Sequence, residues 1–551
     1  MNIWMVTREY AGIAEAGGVK NVSCSLSETL AALGHRVVAF IPMYGCTDIS
    51  LLKDFTEKWK ESISVYSCGR KHEVSFSRGF LNGVEIILVK NPCFSEKQAV
   101  YTYTKEEEAL NPHNRHGSGH KDFLLMNVIF QKSVVEYGIL HSCGKSERPD
   151  IIHCQDAATA MVPTFIDFER KRRNAAARTY ARTGCVVTIH NAGPGYHHDF
   201  GSIGEAENYT GLPAEELSYG LNGERVEPFL LAEKSACLTT VSPQYAEEIL
   251  NDETDTAGLS GIFRERGTEI IGITNGIDIS KYKPTDRKAS LLPYEYDPES
   301  GDLDGKYMCR EYLLEKFACE KAVDSSTFRG IETYGYIREE PGTDLAYIAY
   351  HGRVIWQKGI TVLTEAADRI LEKGLPARFI FIGQGQPELE RELLQIALKH
   401  EGKCIYFRGY DRFLSRLCMA SADMAIFPSY FEPCGLEDLI AQIFGTIPVA
   451  HATGGLCKII DEETGFLYKQ NTPEELASIL ESLIMIKERS GVDLFAKMIS
   501  HTAENVREKF SWRQVIQTRY FPLYERLIKK PSGKKAAEKK MIRPEDDSTG
   551  R

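Results

Sequence analysis

Short apolar runs, each handing over to a glycine-bearing loop and then to a segment of helical spacing, recur from the first residues onward. Ile3–Val6 predicts a first strand. The loop from Tyr10 to Ala16 then leads through Gly17-Gly18 into a helix over Asn21–Leu33 that stops at Gly34, and Val37–Pro42 predicts the next strand. Strand, glycine loop, helix and strand in that order make the opening βαβ unit of a parallel, doubly wound sheet. Further strands are predicted at Val84–Val89, Ile151–Cys154, Cys185–His190 and Cys237–Val241, the last followed by Ser242-Pro243, a helix-start pair.

After Asn275-Gly276-Ile277-Asp278 the alternation lapses: Tyr282 to Gly342 is polar, contains Pro284, Pro293 and Pro298, and reads as a junction. A second set of strands is predicted at Leu345–Tyr350, Phe379–Ile382, Cys404–Phe407 and Asp423–Phe427. The pattern therefore predicts an α/β chain with two Rossmann-like, doubly wound parallel-sheet domains facing a cleft, over 1–280 and 345–510, with 281–344 as linker or insertion. An amphipathic helix over 511–528 follows. Residues 529–551, rich in lysine pairs and closing on Glu545-Asp546-Asp547, have too little to bury and read as a disordered tail.

Length agrees with two cores, since 551 residues exceed what one core fills. A net charge of −11 supplies no basic field for nucleic acid or an anionic membrane, and leaves a neutral polymer unopposed. No apolar run approaches the roughly 20 residues that span a bilayer. Fourteen cysteines without metal-ligand spacing, and a start with no leader-like pattern, lead us to expect a cytoplasmic protein. His113, His116 and His120 lack a matching carboxylate or cysteine set, so no metal and no cofactor is expected.

The densest chemistry lies near residue 430. Phe431-Glu432-Pro433-Cys434-Gly435-Leu436 falls where the strand ending at Phe427 gives way to a helical segment, a position at which doubly wound sheets bind ligands. About twenty residues on, Thr453-Gly454-Gly455-Leu456 provides a turn whose glycines let backbone N–H groups approach an anion. Arg353 and Lys358 flank Val354-Ile355-Trp356-Gln357 directly after a strand, so one loop carries two fixed cations toward the same cleft. Fixed cations are the strongest device for stabilising a departing diphosphate. Gly383-Gln384-Gly385 lacks the third glycine of a dinucleotide fingerprint and reads as an ordinary turn.

Taken in order, Gly352–Gly359, Phe431–Leu436, Gly445–Val449, Thr453–Leu456 and Thr464-Gly465-Phe466 closely resemble the donor site of bacterial glycogen synthases and plant starch synthases, a resemblance that spans about residues 1–528. It implies a GT-B fold, a final helix crossing back to the first domain, and transfer of glucose from ADP-glucose to an α-1,4-glucan with retention. It further implies Arg353 and Lys358 on the diphosphate, with Glu432 and Cys434 beside the transferred sugar. Gly435 belongs to that pocket, Thr453, Gly454, Gly455 and Leu456 surround the distal phosphate, and Tyr410 stacks on the base. In the first half it implies His190 and Asp156 at the sugar, Asn275 in the same cleft, and the Gly17-Gly18 turn at the donor.

The first half departs from the family pattern. Glu15 stands where the family has a lysine that meets donor phosphate, Ala157 and Ala158 replace an aromatic residue and a histidine, and His451-Ala452 replace basic residues. Two alternatives therefore stay open: a GT-B transferase for another nucleotide sugar or a small acceptor, and a glucan-binding regulatory protein without turnover. Oligomeric state is open as well.

Overall fold

A computed structural model describes residues 1–529 apart from 143, 145, 254, 255, 322–327, 329, 341–343 and 491. The segment 530–551, expected as a tail, lies outside the described residues.

The fully apolar runs become the inner strands of two sheets, because strands covered by helices on both faces must be apolar throughout. In the first sheet the parallel order is Ile270–Gly272, Cys237–Thr240, Gly184–Ile189, Ile151–Gln155, Asn2–Val6, Arg36–Pro42, Val84–Lys90. Arg70–Leu81 adds antiparallel to Val84–Lys90, and itself pairs with Ile63–Ser67 and Lys53–Thr56. In the second sheet the order is Glu332–Ile337, Lys403–Arg408, Ala377–Gly383, Ala346–His351, Met424–Phe427, Ile447–His451, Phe466–Tyr468, parallel except for the first strand. These are the two Rossmann-like layers of a GT-B fold. Each sheet changes winding direction at its centre, beside Asn2–Val6 and beside Ala346–His351. The carboxyl ends of those strands open onto the residues singled out above.

The stretch 281–344, expected as linker or insertion, differs in the structure. Glu332–Ile337 is an edge strand of the second sheet, and helix Asp304–Leu313 packs into that domain's core through Cys309 and Leu313. Tyr296 donates its hydroxyl to Phe444 O at 3.0 Å, and the buried Lys306 ammonium reaches the carbonyls of Ala420 and Ala422, both at 2.7 Å. The second domain therefore starts well before residue 345; its anchoring residues are too isolated among charges to register as a periodic pattern.

After its second domain the chain returns to the first. Ile277 N–H donates to Phe510 O at 2.7 Å, Trp512 presses on Gly276, and Tyr520 and Tyr524 enter the first core. Helix Phe123–His141 has 19 residues and, by length and composition, could cross a membrane, but most of it is buried inside the first domain. Among the described residues all thirteen cysteines are free and no cluster suited to a metal ion occurs.

Candidate functional site

Strand Ala346–His351 ends in Gly352-Arg353, and the turn Trp356–Lys358 closes on Gly359. Gly359 has φ +66°, and a Cβ there would sit 1.8 Å from Pro428 O, so only glycine lets this loop lie against the end of strand Met424–Phe427. That contact sets Lys358 beside Glu432. The ammonium pairs with Glu432 Oε2, and Ser429 Oγ donates to the same oxygen at 3.0 Å. Arg353 is exposed, and its guanidinium has no hydrogen-bond or ion-pair partner among the described residues. Its backbone is fixed instead, since Tyr350 donates its hydroxyl to Arg353 O at 2.8 Å.

Arg353, Lys358, Glu432, Tyr410, Gly435 and Leu456 all line one cavity of 370 Å³. His351 and Glu437 line it too, paired Nδ1 to Oε2 at 2.9 Å. Burial opposes charge on both, yet the pairing prevails, raising the imidazole's pKa and lowering the carboxyl's. The Tyr410 ring stands exposed beside His351, ring centroids 6.3 Å apart and planes 27° from parallel.

Sequence reasoning missed Lys458, which organises this floor. Its buried ammonium reaches Asp438 Oδ1 at 2.8 Å and the carbonyls of Cys434, Gly435 and Gly455 at 3.0, 2.9 and 2.9 Å. Burial pushes the Asp438 carboxyl up to about 6 against the pull of Lys458. Burial likewise raises the Cys434 thiol to about 11, so it is present as thiol at neutral pH.

The glycine turn differs from its expected use as an open anion cradle. Thr453 N–H donates to His451 O at 2.8 Å, Gly455 N–H to Glu432 O at 2.6 Å and Leu456 N–H to Thr453 O at 3.0 Å. Gly454 N–H donates to Glu248 Oε1 at 2.8 Å, a carboxylate from helix Pro243–Asn251 of the first domain. Glycine is still required at both central positions. A Cβ at Gly454 would lie 2.1 Å from Glu432 O, and one at Gly455 1.7 Å from Cys434 O.

The first domain meets the Glu432 loop at three further points. Ser242 Oγ donates to Pro433 O at 2.8 Å, Tyr245 and Phe431 meet edge to face at 5.4 Å, and the Asn275 backbone N–H reaches the Cys434 thiol. The Asn275 side chain is buried, with no partner for Oδ1 among the described residues.

Asp156 follows strand Ile151–Gln155 at φ +66°, a strained backbone for an aspartate. Its Oδ1 accepts the His190 N–H at 3.1 Å, and burial pushes the carboxyl up to about 7 against that bond. His190 Nε2 lies 2.7 Å from Gln155 Oε1, whose amide nitrogen faces Met5 Sδ. We infer that Nε2 carries the proton and Nδ1 is an acceptor. Burial lowers this imidazole to about 4, so it is neutral at pH 7.

The Gly17-Gly18 loop is held from within. Buried Glu9 Oε2 accepts Ala16 N–H at 3.0 Å and Gly17 N–H at 2.5 Å, while Gly18 starts the helix Val19–Ala32. Asp156, His190, Asn275, Gly17, Gly18, Cys434, Thr453, Gly454 and Gly455 do not line the 370 Å³ cavity, whereas the six residues named first do.

Residues 2–265 match the family described as starch synthase catalytic domain, and residues 337–498 match glycosyl transferases group 1. The glycogen synthase of Thermodesulfovibrio yellowstonii is 26% identical over 536 residues, covering 96% of this chain and 98% of the relative. That of Myxococcus xanthus is 28% identical over 538 residues, covering 96% and 100%. The chain belongs to the glycogen synthase and starch synthase family. Among solved structures, the catalytic domain of starch synthase IV from Arabidopsis thaliana, bound to ADP and acarbose, superposes with a TM-score of 0.73 at 24% identity, covering 96% and 99% of the two chains, which shows the shared fold.

Within this glucan synthase family the departure at Glu15 has a local explanation. Glu15 accepts Gly12 N–H at 2.6 Å and pairs with Lys20 at 2.6 Å, bonds that lower its pKa. The carboxylate is thus neutralised by its own loop, and Lys20 is thereby spent as a substitute for the family's lysine. Ala157 and Ala158 lie buried in the short turn after Asp156. His451 points its ring nitrogens at Ser429 O and Lys469 O.

Proposed function

We propose that this enzyme transfers glucose from ADP-glucose to the non-reducing end of an α-1,4-glucan with retention of configuration. The observation that carries the reading is Arg353: an exposed guanidinium without a partner among the described residues, lining the same cavity as Lys358 and Glu432. A nucleoside diphosphate supplies the missing counter-charge, with Lys358 released from Glu432 to share it, and the developing negative charge in the transition state strengthens both contacts. Charge neutralisation is assigned to these two cations, and the scheme requires no metal. Glu432, freed toward the sugar, accepts hydroxyl hydrogen bonds, and Tyr410 offers a ring face to the base.

Asp156 and His190 orient the sugar from the opposite domain. In this reading retention comes from direct attack by the acceptor on the face the diphosphate leaves, without a covalent intermediate. The adenine choice is supported by the ADP bound to the Arabidopsis relative.

Glucose incorporation into glycogen by the purified protein, with ADP-glucose and UDP-glucose in parallel and Arg353→Ala as control, tests this. Turnover with ADP-glucose that the control abolishes is the expected result. The competing reading, glucan binding without turnover, draws on the occupied N–H groups of the 453–456 turn, and it requires no incorporation from either donor while glycogen is still retained.

A further inference from the structure

Two aromatic side chains outside the 370 Å³ cavity stand stacked at its edge. The rings of Trp356 and Tyr430 lie 4.9 Å apart with planes 12° from parallel, and they remain 66% and 38% exposed. The pair is held by the backbone: Trp356 N–H donates to Gln386 Oε1 at 2.8 Å, and Tyr430 N–H donates to Gln357 O at 2.9 Å. Trp356 lies two residues before Lys358, and Tyr430 two before Glu432, so the platform is continuous with the reaction site.

Tyr430 also lines a second cavity, of 210 Å³, between the domains, with Tyr245, Glu248 and Asp252 on the first-domain wall. No Lys or Arg lines it among the described residues. Such a wall repels phosphate and carboxylate ligands, whereas carboxylates accept hydroxyl protons and a ring face takes the apolar face of a pyranose. A neutral, polyhydroxylated ring satisfies both demands. A nucleotide does not, since its diphosphate would face two acids.

We propose that Trp356 and Tyr430, with the cavity behind them, bind glucosyl units of the α-glucan chain as a subsite distinct from the donor cavity. The inference rests on the glucan reading above. It adds where the polymer lies and which ring carries it.

The test uses maltoheptaose as probe, with binding followed by tryptophan fluorescence and calorimetry. Trp4 and Trp512 are buried and Trp59 is partly covered, so Trp356 dominates any change on stacking. Trp356→Ala is expected to raise the maltoheptaose Kd and the glycogen KM about tenfold, the loss of one stacked ring, while the ADP Kd stays within about twofold. Trp356→Phe is expected to recover most of the loss. An unchanged maltoheptaose Kd in Trp356→Ala, or a change in the ADP Kd instead, overturns the subsite. Wild-type protein that binds maltoheptaose through Trp356 yet transfers no glucose overturns the proposed activity and leaves the subsite standing. Normal transfer with an unchanged Trp356→Ala variant does the reverse.

Discussion

Glu248 accepts the backbone N–H of Gly454 at 2.8 Å, joining a helix of the first domain to the glycine turn of the second. A bond from a carboxylate to a backbone N–H contributes about 1.5–3 kcal/mol. It acts here together with Ser242 on Pro433 O to hold the domains against each other. Glu248→Ala is expected to shift the protein toward an open form, read as a larger radius of gyration in small-angle scattering without ligand. Glu248→Gln keeps an acceptor and is expected to stay compact. Equal radii for wild type and the alanine variant would remove Glu248 from the closing contacts.

Arg353 and Lys358 are expected to separate in a way their shared cavity alone does not suggest. Arg353→Ala removes a cation without a partner among the described residues, so kcat is expected to fall on the order of 100- to 1,000-fold with the melting temperature unchanged. Lys358→Ala is expected to cost similar activity and also about 1–3 kcal/mol of stability, because Glu432 loses its ion-pair partner and keeps only the Ser429 hydroxyl. Steady-state kinetics beside thermal melts checks both.

Lys458 touches three carbonyls and one buried carboxylate. Lys458→Ala removes the cation that holds the Asp438 carboxyl down, so that buried group must take up a proton or stay charged without a partner, a loss of about 3–5 kcal/mol. The double variant Lys458→Met with Asp438→Asn is expected to recover part of it. Urea unfolding gives the comparison, and equal losses in single and double variants would contradict the pairing.

The Asp156 carboxyl has a folded pKa of about 7 against an ordinary value of 3.8. Between those two values the unfolded chain has already released the proton that the folded chain keeps. This group therefore lowers stability as pH rises from about 4 to about 7 and adds nothing further above that. Asp156→Asn is expected to gain on wild type across this window in melts at stepped pH. A constant difference from pH 4 to 8 would refute the assignment. His190 runs the other way: its folded pKa of about 4 lies below the ordinary 6.5, so its contribution is lost as pH falls through that interval.

Most inner strands were legible to within a residue or two, but Ile447–His451, which has a strand on either side, was not predicted as one. Ile3–Val6 became Asn2–Val6 and Cys404–Phe407 became Lys403–Arg408, since a strand covered on both faces is one unbroken apolar run. Arg70–Leu81, Ile63–Ser67 and Lys53–Thr56 escaped notice because they lie near the sheet edge and are not unbroken apolar runs. The loop that carries Arg353 and Lys358 was legible as local sequence. Lys458 with Asp438, and Glu248 with Gly454, were not, because those pairs join positions 20 and 206 residues apart and no window of sequence contains the geometry.

Tyr524 hydrogen-bonds His153 at 2.8 Å across 371 residues of chain. During synthesis the first core therefore waits for nearly the last described residues before it is sealed, whereas the second domain is one contiguous stretch complete by then. A released chain ending near residue 510 would carry a finished second domain beside an unsealed first one. Two strands of chain, not one, also pass between the domains, and a double tether of this kind permits bending about one axis while resisting twist.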